Sequence, residues 1–295
     1  CFVESQRIPD VLALAAKRKD IKIQVLVYLR DQPCWIQSVF NEVVKDPMRR
    51  FTGNVFDLRE YRLGRLNYYD TLSPWANWLG DENIRLRAFN KTSLKKANPI
   101  VDFLDAISDR HFFPVHDNDL KGLITNASMP VPISEFLRRC NLLSMQIGDH
   151  QRLVNALQGV SENAQQWEEL KKVRTDWLTA VEKETIAEHC LSSNKMLEQR
   201  WADTPLELSG TGVQYHANDL NLPLLTTEIE HRIITELPRG IVNILETASN
   251  NINNRDVNES FLPVPSLDES VRLRAVIMRQ RMELRALYAE KGIVA

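Results

Sequence analysis

Ile21-Lys-Ile-Gln-Val-Leu-Val-Tyr-Leu29, then Arg30, then Pro33-Cys-Trp-Ile-Gln-Ser-Val-Phe-Asn41 is the stretch that decides the fold class of this chain. The first nine residues are too short for a buried helix and rich in Ile and Val, which predicts a mostly buried strand, central and parallel. Pro33 suits a first helical turn. Trp35, Ile36, Val39, Phe40 and Val43 then recur at helical spacing, so a helix with one apolar face should follow the strand.

Working outward, the spacing predicts a second helical region over 55–79, with Tyr61, Leu63, Leu66, Tyr69, Leu72, Trp75 and Trp78 inward, a break near Pro74 and a C-cap at Gly80. Residues 83–89 alternate, with Ile84, Leu86 and Ala88 set against Arg85 and Arg87, the period of a strand with one less buried face. Helical spacing resumes over 93–107. The order β, α, α, β, α predicts an α/β domain with crossover connections and a parallel sheet. From Asn126 the chain should be helical almost throughout, over 132–144, 149–157, 162–188 and 194–201. A polar linker over 205–223 separates a domain spanning 1–208 from a C-terminal extension, 209–295. In that extension helices are expected over 227–248 and 266–291, parted by Asn250-Asn-Ile-Asn-Asn254, with Ser266 and Glu269 as a capping box.

A net charge of -2 denies the molecule any overall pull on nucleic acid or acidic membranes, so an anion site would have to be local. The four cysteines form no CxxC pair, which argues against a zinc ribbon or a disulfide scaffold and favours a reducing, cytoplasmic setting. No apolar run approaches the roughly 20 residues that span a bilayer. The chain opens on Cys1 rather than Met, which points to residues upstream.

Arg30 ends the predicted strand, and Ser38 stands eight positions later on the helix. Ligands of open α/β sheets collect beyond the carboxyl ends of the strands, where a guanidinium fork and a hydroxyl can jointly hold a phosphate. On spacing alone the commoner outcome is a strand-end arginine in a surface ion pair and a solvated serine.

The run Val25-Leu-Val-Tyr-Leu-Arg-Asp-Gln-Pro-Cys-Trp-Ile-Gln-Ser-Val-Phe-Asn-Glu42 resembles the 3′-phosphate-binding segment of sulfotransferases that use 3′-phosphoadenosine 5′-phosphosulfate. Similarity extends through Leu66-Asn-Tyr-Tyr-Asp-Thr-Leu72, Trp75-Ala-Asn-Trp-Leu-Gly-Asp-Glu-Asn-Ile84 and Arg87-Ala-Phe89. Asn126-Ala-Ser128, Glu135-Phe-Leu-Arg-Arg-Cys-Asn141 and Ser193-Asn-Lys-Met-Leu-Glu-Gln-Arg-Trp201 look like the closing helical part of such a domain, giving coverage of about 1–208.

The resemblance implies a three-layer, P-loop-type α/β core and places the cofactor's 3′-phosphate on Arg30 and Ser38. Lys121, Asn126 and Ser128 would border the cofactor if the polar loop before Asn126 folds over it, and Glu4 would serve as general base. The implied reaction moves the sulfuryl group to a hydroxyl of a carbohydrate or small metabolite, without metal or nucleic acid. It leaves the acceptor and the oligomeric state open. One departure matters: the family's Gly-containing phosphate loop has no counterpart among the ten glycines here. Either the chain lacks an N-terminal portion, or it is a noncatalytic binding or scaffold protein with a degenerate fold. A nucleotide-dependent kinase is disfavoured by the same missing loop.

Other clusters carry blander expectations. His111, His116, Asp117 and Asp119 are read as a polar loop rather than a metal site, because Lys121 and Ser128 break the calcium-loop pattern. The arginines of 272–285 are read as a solvated helix face, and the six tryptophans as core.

Overall fold

The computed structural model describes residues 23–107, 129–202, 206, 208 and 222–256. Among them two compact units alternate along the chain: one holds 23–38, 56–107 and 178–202 with Leu206 and Leu208, the other 39–55, 129–177 and 222–256.

The first unit is α/β. Strand β1 (Val25–Leu29) leads through helix α1 (Gln32–Lys45), α2 (Val55–Leu66) and α3 (Tyr68–Leu79) to strand β2 (Ile84–Ala88). The two strands pair in parallel with Val25 opposite Ile84 and Leu29 opposite Ala88, and the Phe89 N–H extends the ladder by donating to the Leu29 carbonyl at 2.7 Å. Side chains alternate across a strand, so Val25, Val27 and Leu29 share a sheet face with Ile84, Leu86 and Ala88. That face packs on Tyr68, Leu72, Trp75 and Ala76 of α3 and on Leu197 and Trp201 of α7 (Ala180–Trp201), with Leu206 and Leu208 completing the core. The opposite face carries Tyr28 and Arg87, register partners, beneath α4 (Pro99–Ile107).

Capping residues set the helix ends. The expected break near Pro74 falls instead at Asn67, whose side chain accepts from the Asp70 N–H at 3.0 Å and starts α3 afresh. Pro74 sits inside α3 on its exposed side, where the backbone carbonyl left without its donor faces solvent rather than the core. Gly80 ends α3 as expected, at φ 91°, and a Cβ there would run into the Glu82 carboxylate. The helix expected over 93–107 begins only at Pro99, because Asn98 Oδ1 accepts from the N–H groups of Ile100 and Val101 at 2.9 and 3.3 Å. The continuous helix expected over 162–188 is broken, and α7 starts at Ala180 under a capping box of Thr179 and Glu182.

Among the described residues the second unit has helices and no strand: α5 (Val131–Cys140), α6 (Ile147–Ala164), α8 (Thr227–Glu236), α9 (Arg239–Asp256) and the distal half of α1, with a short 3-10 turn at Glu168–Lys172. The helix expected over 227–248 divides around Pro238, and α9 then runs through the asparagine-rich stretch that was expected to end it. Phe40, Ile133, Leu137, Leu153, Leu157, Ile229 and Ile233 are fully buried there. The helix expected over 266–291, its Ser266 cap and the arginines of 272–285 lie outside the described residues. Among the described residues, no helix is long and apolar enough to cross a membrane.

Candidate functional site

A cavity of about 400 Å³ opens in the α/β unit at the carboxyl ends of β1 and β2. This is the crevice where open parallel sheets bind ligands, and the volume lies in the usual range for a small-molecule site. It is lined by Leu29, Arg30, Asp31 and Cys34 from the end of β1 and the start of α1, by Phe89, Asn90, Lys91, Leu94, Ala97 and Pro99 from the segment after β2, and by Leu206.

The backbone beneath Arg30 is held from two sides. Its carbonyl accepts from the buried Tyr68 hydroxyl at 2.8 Å, and burial pushes that phenol's pKa well above its usual range. Two residues on, the amides of Gln32 and Asn194, both wholly buried, exchange hydrogen bonds of 2.6 and 3.2 Å and fix the first turn of α1 to α7. Asp31 caps α1, its carboxylate accepting from the Cys34 N–H at 3.3 Å. Among the described residues no carboxylate pairs with Arg30 within ion-pair distance, nor with Lys91. Among the described residues, then, the ion pair expected on spacing alone is not seen. Arg30 and Lys91 thus bring two cations to the cavity, against the one carboxylate of Asp31, a balance that favours an anionic ligand.

Cys34 is no nucleophile here: burial, and then the charge and hydrogen bond of Asp31, push its thiol up to about 11, so it is neutral at neutral pH. Cys34, Cys140 and Cys190 are all free thiols.

Of the residues expected at a site, Arg30 lines the cavity and Ser38 does not. Ser38 is half-buried on α1, one turn beyond Cys34 on the same face, so the two stand in line along the helix. Glu4, Lys121, Asn126 and Ser128 lie outside the described residues, as do His111, His116, Asp117 and Asp119. Among the described residues no three His, Cys, Asp or Glu side chains gather as metal ligands. Sequence reasoning passed over Lys91, Leu94 and Ala97. The available signal was positional: Phe89 to Lys91 leave β2 where Arg30 leaves β1, so parallel pairing of the strands brings both exits to one edge.

An uncharacterized protein of Archaeoglobus fulgidus is 30% identical to this chain over 93 residues, which make up 30% of the chain and 24% of that protein. The chain thus matches about a quarter of that relative's length. No family model and no solved structure matches it.

Proposed function

We propose that this chain binds 3′-phosphoadenosine 5′-phosphosulfate and transfers its sulfuryl group to a hydroxyl of a carbohydrate or small metabolite. The observation that carries the reading is the Arg30 guanidinium, which lines a cavity together with Lys91 at the end of a parallel strand, its backbone held by a buried tyrosine and its charge without a carboxylate partner among the described residues. Arg30 stands where the resembled segment places its 3′-phosphate ligand. Ser38 follows eight residues later, as in that segment, and the wider sulfotransferase-like, three-layer reading rests on the same resemblance.

In the reaction proposed, the acceptor oxygen attacks sulfur in line, an S–O bond forms, and the S–O bond to the 5′-phosphate breaks. The acceptor's proton passes to a general base, the role the resemblance gives to Glu4, and the nucleotide bisphosphate leaves. Arg30 holds the far end of the nucleotide and so serves orientation, a role the resemblance shares with Ser38 although Ser38 does not line the cavity, while the charge that develops on the leaving oxygen needs donors elsewhere.

Calorimetric titration with 3′-phosphoadenosine 5′-phosphate tests the reading directly. Arg30→Ala should weaken binding by about 1.5 to 3 kcal/mol, roughly ten- to 150-fold, the value of a hydrogen bond to a charged group. Equal affinity of the variant and the wild type would refute the assignment. Binding of the bisphosphate with no transfer to any hydroxyl acceptor would favour the noncatalytic alternative.

A further inference from the structure

Behind the cavity wall formed by β2 and the following loop lies a carboxylate with every acceptor position used. Asp102, on α4, is 1% exposed. Its Oδ1 accepts from the Lys95 backbone N–H at 3.0 Å and from Arg87 Nη2 at 3.0 Å. Its Oδ2 accepts from Arg87 Nε at 2.6 Å and from the Tyr28 hydroxyl at 2.7 Å. Four donors meet the roughly four lone-pair sites a carboxylate offers. Burial pushes the Asp102 carboxyl up, but the bonds from Tyr28, Lys95 and Arg87 outweigh it and hold its pKa below the ordinary carboxylate value. Tyr28 and Arg87 are opposite each other on β1 and β2, so one side chain ties both strands to the turn that follows them.

That turn is unusual. Lys96 and Ala97 have φ of 54° and 51°, the left-handed region that side-chain-bearing residues enter only when their surroundings impose it. Ala97, with Leu94 and Pro99 beside it, faces the cavity. The turn is closed by Ala97 N–H to Leu94 carbonyl and Asn98 N–H to Lys95 carbonyl bonds of 2.9 and 3.1 Å. It continues from the turn that carries Lys91, which Asn90 Oδ1 closes by accepting from the Ser93 N–H at 2.7 Å. A buried ion pair is in general a poor source of net stability, since well-packed apolar groups serve as well. What this one supplies is a fixed location for strained backbone.

We propose that Asp102 is the positioning residue of this wall: it pins the left-handed turn 94–97 to Tyr28 and Arg87 and thereby sets the affinity of the cavity for anions. The inference rests on the proposed nucleotide reading for its ligand, and on the geometry alone for its mechanism.

The test uses the full chain, with Asp102→Asn, Tyr28→Phe and Lys91→Ala, singly and with the first and third combined. Amide hydrogen exchange at Lys95, Ala97 and Asn98 should be about tenfold faster in Asp102→Asn, with the amides of β1 unchanged. Affinity for 3′-phosphoadenosine 5′-phosphate should fall about tenfold in Asp102→Asn, but less than about twofold when Lys91 is already alanine, the non-additivity of residues acting through one wall. A merely structural Asp102 would give the same loss in both backgrounds. Tyr28→Phe removes one donor and keeps the packing, and should shift exchange and affinity the same way by a smaller factor; it decides the matter if Asp102→Asn does not fold. Unchanged exchange in the turn, unchanged affinity, or full additivity would each overturn the positioning role. A wild-type chain that gives no heat with the bisphosphate would instead refute the nucleotide reading, and the exchange rates alone would then decide for or against Asp102.

Discussion

Phe40→Ala should remove about 3 to 5 kcal/mol from the stability of the helical unit, the usual cost of truncating a fully buried aromatic. Phe40 is 0% exposed on α1 and meets Phe51 edge-on at 5.7 Å and Trp177 at 4.6 Å. Each such ring pair adds about 0.5 to 1.5 kcal/mol beyond burial. The surroundings cannot readily close the gap, because the Trp177 indole N–H is held by Asn41 Oδ1 at 2.7 Å and cannot swing inward without giving up that bond. The loss would be a large share of the roughly 5 to 15 kcal/mol that holds a domain together. Urea unfolding followed by tryptophan fluorescence is the measurement, with Met48→Ala, a residue 77% exposed, as the control expected to shift stability by less than about 0.5 kcal/mol. A Phe40→Ala loss no larger than that of Met48→Ala would mean that this aromatic cluster does not hold the unit together.

Phe40 also marks what could be read from the sequence. The apolar period of α1 is a property of the residues themselves, and Ile36, Phe40 and Val43 are indeed buried, with Trp35 and Val39 half-buried. The two strands and their parallel pairing were legible in the same way, but the first begins only at Val25, is buried only at Leu29, and among the described residues lies in a two-stranded sheet, so it is not the mostly buried, central strand expected over 21–29. Helix boundaries were less so. Asn67 and Asn98 each interrupt an unbroken apolar period by capping the helix that follows, and a period count gives no weight to a single asparagine.

At the candidate site the division is similar. Arg30 was legible because it ends a strand. The segment after β2 was not: a left-handed turn built from Lys96 and Ala97 uses no glycine, so composition gives no sign of it. Asp102 has the look of an ordinary polar position on an amphipathic helix. Its burial depends on Tyr28, 74 residues earlier, and on Arg87, 15 residues earlier, partners that only the parallel pairing of β1 and β2 brings within reach.

His150 should make the helical unit sensitive to acid between about pH 6.5 and pH 4. The residue is wholly buried, and its Nε2 lies 2.7 Å from Asn141 Oδ1. The Asn141 amide nitrogen donates to the Val44 and Phe51 carbonyls at 2.9 and 3.1 Å, which fixes the oxygen toward the ring and makes Nε2 the donor. Nδ1 is left buried without an acceptor, so a second proton has no partner to receive it. Burial first, and then the nearby Arg50 charge, lower the pKa from 6.5 to about 4, against a small opposing pull from Asp46. Between those values the unfolded chain binds a proton that the folded chain refuses. Stability is therefore full above about 6.5, falls as the pH drops, and levels out below about 4. The whole step is worth about 3 kcal/mol, and about 2 kcal/mol of it falls between pH 7 and pH 5. Carboxylates titrate near the lower end of this window, so the test is a difference. Urea unfolding of wild type and of His150→Gln, which can keep a donor to Asn141 but does not titrate, should show wild type losing about 2 kcal/mol more than the variant between pH 7 and pH 5. Parallel pH dependences for the two proteins would show that His150 is protonated in the folded state as readily as in the unfolded one, and the acid sensitivity would then have to come from other groups.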